Sequence, residues 1–243
     1  MRKLAFTVLI CAMLCGSAAF AADDKPSYKD EAVRHYNRGH DLHKQGFFNQ
    51  AITEYKAALA ADDRMEEAYT NLGLIYAAQK NYPKATEAFK KSLAINPNRT
   101  NALNGLGTVL YAKNKFAEAM EQWKKAVEID PRFASAYFNM GNALETEKDY
   151  KGAVDAYVSA IAISPTLADA YYHVGSIYAK EKHPAQAIVL FQKAIDLQPA
   201  ADFVRDAKTT MSRLDAEFSA GGVDAPEVKM NIIAPPATSG SSN

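Results

Sequence analysis

Cysteine is almost missing from this chain. The 243 residues hold two, Cys11 and Cys15, and both fall within the first 21. A chain cleaved after that point carries none, so it needs no disulfide in an oxidising compartment. An excess of one charge is missing too. There are 28 Lys and Arg against 28 Asp and Glu, which gives no basic face for general nucleic-acid binding. After the first twenty or so residues, no apolar run reaches the roughly 20 residues of a membrane-spanning helix. There is no glycine-rich phosphate loop after a strand and no nucleophile motif, so an enzyme is not expected and no cofactor is implied. At 48% hydrophobic and 23% charged residues, the rest reads as a soluble globular chain.

The first 21 residues stand apart. Arg2 and Lys3 precede an apolar run from Leu4 to Cys15, broken only by Thr7, and Ala19-Phe20-Ala21 supplies a small-residue cleavage pattern. This reads as a secretory signal peptide cleaved after Ala21, which predicts an exported protein, periplasmic or secreted. The alternative is an uncleaved N-terminal anchor. Ile10 and Leu14 precede the two cysteines, where a lipoprotein attachment site wants a small residue. Loss of Arg2 and Lys3 leaves 26 basic and 28 acidic residues.

What is present is a repeat. Gly39, Gly73, Gly107, Gly141 and Gly175 are each 34 residues apart. Ala51, Ala85, Ala119, Ala153 and Ala187 keep the same spacing, as do the aromatics Tyr55, Phe89, Trp123, Tyr157 and Phe191. A small residue follows each aromatic at Ala58, Ser92, Ala126, Ala160 and Ala194. Pro97, Pro131, Pro165 and Pro199 close four of the units, with Asp63 in the first. Each unit carries two apolar patterns of helical period. In the second unit Tyr69, Leu72, Gly73 and Tyr76 mark one helix face, and Ala85, Ala88, Phe89, Ser92 and Leu93 mark another. Glycine inside a helix costs about 1 kcal/mol against alanine, so its recurrence predicts close approach of two helices. Asn81, Asn114 and Asp149 mark the turns between helices, and Pro83 and Pro184 suit the first turn of a second helix.

This pattern resembles the tetratricopeptide repeat, whose signature is W-x2-L-G-x2-Y, then A-x3-F, then P. The resemblance covers residues 32–199 in five units, 32–65, 66–99, 100–133, 134–167 and 168–199. It implies an all-α fold, a right-handed α-solenoid of five helix pairs, in which stacked pairs bury a continuous core. Residues 22–31 read as a linker. Residues 200–218 read as a capping helix, with Phe203, Ala207, Met211, Leu214 and Phe218 on its apolar stripe and a wet outer face opposite. Residues 219–243, rich in Ser, Gly and Pro, read as a disordered tail with a short apolar island at Val228–Ile233. The first unit departs most, with His35 and Arg38 where the pattern wants an aromatic and Leu.

The resemblance further implies that the first helix of each unit lines a concave groove. Carried onto this sequence, the wall is Tyr36, Asn37, His40 and Lys44 in the first unit and Thr70, Asn71, Leu74 and Ala78 in the second. The third supplies Asn101, Asn104, Thr108 and Tyr111, the fourth Phe138, Asn139, Asn142 and Glu145, and the fifth Tyr172, His173, Ser176 and Lys180. Amides can hydrogen-bond a peptide backbone and aromatics supply contact area. The partner implied is another protein, held as a peptide or helix of modest charge. The other reading of Asn37, Asn71 and Asn139 is that they tie helices together. His40 and His43, three apart on one helix, could share a metal, but no third ligand lies at an obvious spacing, so no metal site is assigned. Chaperone-binding members of the family grip a carboxylate with a Lys and Arg clamp. The matching positions here hold Thr70, Leu74, Gly105, Ser135 and Asn139, so that clamp is absent. The expectation is a non-enzymatic scaffold or adapter of the bacterial envelope. A self-assembling homo-oligomer, whose groove takes another copy or its own tail, is the alternative.

Overall fold

A computed structural model describes residues 27–221, with side chains as far as 217. The leader and the apolar island of the tail lie outside the described residues. Eleven helices follow one another: α1 Asp30–Lys44, α2 Phe48–Ala61, α3 Glu66–Ala78, α4 Tyr82–Ile95, α5 Thr100–Ala112, α6 Phe116–Ile129, α7 Ala134–Thr146, α8 Tyr150–Ile163, α9 Ala168–Lys180, α10 Pro184–Leu197 and α11 Val204–Gly221. No strand occurs among the described residues. Each odd helix packs on the even helix that follows, and each even helix packs on the next odd one. Three boundaries differ from the sequence reading. The segment read as linker already turns helical at Asp30, because Asp30 and Glu31 suit the positive end of the helix dipole. The capping helix starts at Val204 rather than near Ala200, after a turn that carries Phe203, and runs to Gly221, three residues into the segment read as tail.

The repeated residues explain the pairing. Tyr55, Phe89, Trp123, Tyr157 and Phe191 are each at most 1% exposed. Every one lies across the glycine of the preceding helix. A Cβ placed on Gly107 would sit 2.5 Å from Trp123 Nε1, and one on Gly73 would sit 2.6 Å from Phe89. The glycines therefore leave the space that the ring fills, which offsets their cost in helix propensity. Trp123 also donates its indole N–H to the Asn104 carbonyl at 3.3 Å.

The turns use one device throughout. The first helix of each pair ends in a residue at positive φ, at Gly46, Lys80, Asn114, Lys148 and Lys182. The next backbone N–H then reaches back five residues, as in Phe47 to Leu42, Asn81 to Tyr76 and Lys115 to Leu110, at 2.8–2.9 Å. This is the Schellman closure of a helix C-terminus. Asn114 is thus the left-handed residue itself, while Asn81 and Asp149 cap the next helix by accepting from the Lys84 and Gly152 amides. The first unit's departures are also explained. Glu54 on α2 meets His35 Nδ1 at 2.6 Å and Arg38 Nε at 3.3 Å, so polar groups close this end of the stack.

Candidate functional site: the inner face of the odd helices

The odd helices line one side of the stack. Besides their even partners, α3 touches α5 and α5 touches α7. Side-chain hydrogen bonds run between successive odd helices along that side. Asn71 donates to Tyr36 Oη at 3.2 Å, and Asn139 donates to Asn104 Oδ1 at 2.9 Å. The Tyr111 and Thr146 hydroxyls meet at 2.8 Å, Lys180 donates to Glu145 at 2.9 Å, and Tyr172 donates to Asp206 at 2.6 Å. Partners are 34 or 35 residues apart, so the ladder follows directly from stacking one unit on the next. The amides of Asn71 and Asn139 are spent in this ladder. That supports the reading in which they tie helices together.

The inner residues form a ribbon along the stack rather than one converging point. At its start Tyr36 is half-buried, with His40 exposed and stacked beside it at 6.3 Å between ring centroids, and Asn37 and Lys44 are exposed. His43 is turned edge-on to Phe48 and Tyr55. Among the described residues no third His, Cys, Asp or Glu joins these two histidines. Leu74 stands 40% exposed, an apolar side chain held toward water. Ala78, Asn101 and Thr108 are also exposed, and Asn104 and Tyr111 are half-buried. Thr70 is a correction. It is 3% exposed and lines no groove. Its short side chain turns back, donating to the Glu66 carbonyl at 3.0 Å and meeting Ser92 Oγ at 2.7 Å. Two buried hydroxyls satisfy each other. Ser92 stands where every other unit has alanine, which was the signal for it.

The C-terminal half carries the densest chemistry. His173 stacks on Tyr157 at 5.1 Å and meets Phe138 and Tyr172 edge-on at 5.8 and 5.6 Å. Glu145 is the hub. One carboxylate oxygen lies 2.9 Å from His173 Nδ1 and accepts from Tyr157 Oη at 3.1 Å, and the other accepts from Lys180. The His173 hydrogen bond holds the Glu145 carboxyl down to about 2, against an opposing effect of burial and with further help from Lys180. Tyr157 also donates to Asn142 at 2.7 Å. Tyr172 stacks on Phe203 at 4.9 Å, and burial and its bond to Asp206 raise its phenol to about 12. Around these residues runs a trough of about 590 Å³, bounded by Glu145, Tyr172, His173, Ser176 and Lys180 on one side and by Asp206, Arg213 and Glu217 of α11 on the other. A second hollow of about 430 Å³ continues from His173 and Glu145 to Tyr111, Asn142 and Thr146.

Sequence reasoning missed the α11 wall. Asp206, Arg213 and Glu217 belong to the polar side of α11, which reads from sequence as a wet outer face, yet they close the trough. The 34-residue step from Tyr172 to Asp206 was the available signal. What the ribbon offers is contact area, spare hydrogen-bonding groups and paired charges.

Tetratricopeptide-repeat profiles match residues 36–100 and 168–201, and TPR-repeat profiles match 107–148 and 146–182. The chain belongs to the tetratricopeptide repeat family. No curated protein matches the sequence. Among solved structures, this TPR chain is similar to YrrB, a TPR protein with an unusual peptide-binding site. The identity is 28% and the TM-score 0.55, over 73% of this chain and 92% of YrrB. It is also similar to MamA from Desulfovibrio magneticus RS-1, at 22% identity and a TM-score of 0.61 over 72% of this chain and 99% of that one. PilW, a type IV pilus biogenesis factor, aligns at 20% identity and a TM-score of 0.66 over 80% of this chain and 94% of PilW. The last two likenesses concern the fold alone. Membership of this family gives the chain a protein-interaction scaffold.

Proposed function

We propose that this TPR protein is a non-enzymatic adapter that holds a segment of another protein along the inner face of its odd helices. The observation that carries this is the trough between α9 and α11 and its continuation past Tyr111. Its lining sets aromatic rings and neutral polar groups among three acids, Glu145, Asp206 and Glu217, and three bases, Lys180, Lys182 and Arg213, so the formal charges cancel, and Glu145 and Lys180 pair with each other. A groove of this kind favours an extended or helical segment of low net charge. Leu74, exposed on the same face in the second unit, offers an apolar anchor beyond the trough. The likeness to YrrB, whose description includes a peptide-binding site, supports the same reading.

The leader pattern of residues 1–21 supports export, and with it an envelope or secreted setting. Intact-mass analysis of the protein recovered from its host tests this part. A chain beginning at Ala22 supports export by cleavage, and a retained leader refutes it.

For the groove, the test is a peptide library displayed against the purified protein. Selected peptides should bind the wild type and lose at least about tenfold in affinity to the variant carrying Leu74→Glu and Ser176→Glu, since an unpaired carboxylate in an apolar contact is costly. Equal affinity for both proteins refutes the placement.

A further inference from the structure

The opposite side of the stack holds a second concave site, which the groove does not use. It lies at the first junction between units, where α2 and α4 flank the outer side of α3, and encloses about 280 Å³. Its floor is Tyr69, Leu72 and Tyr76 of α3. Its rim is Lys56 of α2 with Lys84, Glu87 and Lys91 of α4. The rim therefore carries three ammonium groups and one carboxylate. Glu87 is taken by Lys91 at 2.8 Å. Lys84 Nζ lies over the Tyr76 ring at 5.6 Å and Lys91 Nζ over the Tyr69 ring at 5.8 Å. Among the described residues, neither Lys56 nor Lys84 has a carboxylate partner within salt-bridge distance.

The next junction is lined differently. Leu103 and Leu110 stand in the places of the two tyrosines, and Glu118 in the place of Lys84. There Glu118 pairs with Lys115 and Glu121 with Lys125, so the charge is balanced within the chain. Tyrosine recurs at these places in Tyr137, Tyr171 and Tyr178, so what sets the first junction apart from the next is a base, Lys84, where Glu118 stands. The first junction gathers two uncompensated cations over an aromatic floor.

We propose that this outer cavity is a docking site for an acidic segment of a partner protein, with an Asp or Glu carboxylate seated between Lys56 and Lys84. Its methylene groups would rest on Tyr69, Leu72 and Tyr76. Charge complementarity selects the occupant, and size and lining favour a side chain over the alternatives. A phosphate site is normally built with guanidinium forks or converging backbone N–H groups, and the rim has neither. A membrane surface attracts a protein by about 1 kcal/mol per basic residue, so two free lysines give weak adhesion at most. A carboxylate needs only one or two ammonium groups and gains from an apolar floor that screens it from water.

The test uses the purified protein and a fluorescein-labelled hexapeptide that alternates Glu with Leu, read by fluorescence anisotropy. Saturable binding is expected, weakening at least about fivefold when every Glu of the peptide is replaced by Gln. The double variant Lys56→Gln with Lys84→Gln should lose affinity by a similar factor. Both lysines lie at the surface, and an unchanged circular dichroism spectrum would show that the variant still folds. Raising salt from about 50 to about 300 mM should weaken binding further. Four results would overturn the proposal. Two are no saturable binding and equal binding by the double variant. Another is loss of binding on Leu74→Glu, which would place the peptide on the inner face. The last is lysine-dependent sedimentation with phosphatidylglycerol vesicles without peptide binding, which would assign the site to lipid.

Discussion

Replacing Glu145 by Gln removes the charge at the centre of the trough and keeps the shape. In the folded protein the Glu145 carboxyl is held near 2 from a usual 4.5. At full strength that difference corresponds to about 3 kcal/mol of preference for the ionised form. The partners are not fully shielded, however. The His173 side chain is 32% exposed and that of Lys180 is 52% exposed. Solvent screening then reduces the expected contribution to about 1–2 kcal/mol. The sign follows from the direction of the shift. A carboxyl depressed by folding stabilises the native state above its unfolded value and loses that contribution as pH falls toward its folded value. Glu145→Gln should therefore lower the stability measured by urea denaturation by about 1–2 kcal/mol near pH 6, and by less than half as much near pH 3. Far-UV circular dichroism is a suitable readout for an all-helical chain. A variant as stable as wild type near pH 6, or a gap that does not shrink in acid, would refute the assignment of Glu145 as an ionised hub.

Trp123→Ala should cost about 3–5 kcal/mol, because the ring is 1% exposed and fills the space left by Gly107. A loss below about 1 kcal/mol in the same denaturation assay would mean that the ring is not the wedge between these helices. Thr70→Val should destabilise by about 1 kcal/mol by leaving the buried Ser92 hydroxyl without its partner, Ser92→Ala should cost less because Thr70 keeps the Glu66 carbonyl, and the double variant should cost less than the sum. Additive losses in that cycle would show that the two hydroxyls are not coupled.

The fold was legible because the constraint that builds it is local and periodic. Gly107 and Trp123 sit sixteen residues apart in one unit, and their fit of ring to missing side chain recurs in every unit. The left-handed turn residues were only partly legible. Gly46 and Asn114 suit positive φ, but Lys80, Lys148 and Lys182 adopt it because the next N–H closes the helix end. The inner face was legible as a register and not residue by residue. At one register position Tyr36, Asn104, Phe138 and Tyr172 reach toward the inner side, while Thr70 is too short and turns inward to Ser92. The wall from α11 was hidden because that helix has no repeat signature. Its rotation is set by the stacking of Phe203 on Tyr172 and by the burial of Ala207 and Leu214. The outer cavity was hidden for another reason. Its lysines read as a solvated helix face until stacking brings Lys56 of α2 to the same hollow as Lys84 and Lys91 of α4.

The central claim is that the inner face holds a segment of another protein, and photo-crosslinking in the host cell tests it most directly. A photoreactive residue would be placed at Leu74 and at Ser176 on that face, and at Lys124, an exposed position on α6, as a control. The account predicts one dominant foreign protein captured from both inner positions, through neighbouring stretches of its sequence, and not from Lys124. Equal capture from Lys124, or adducts to this chain alone, would contradict it.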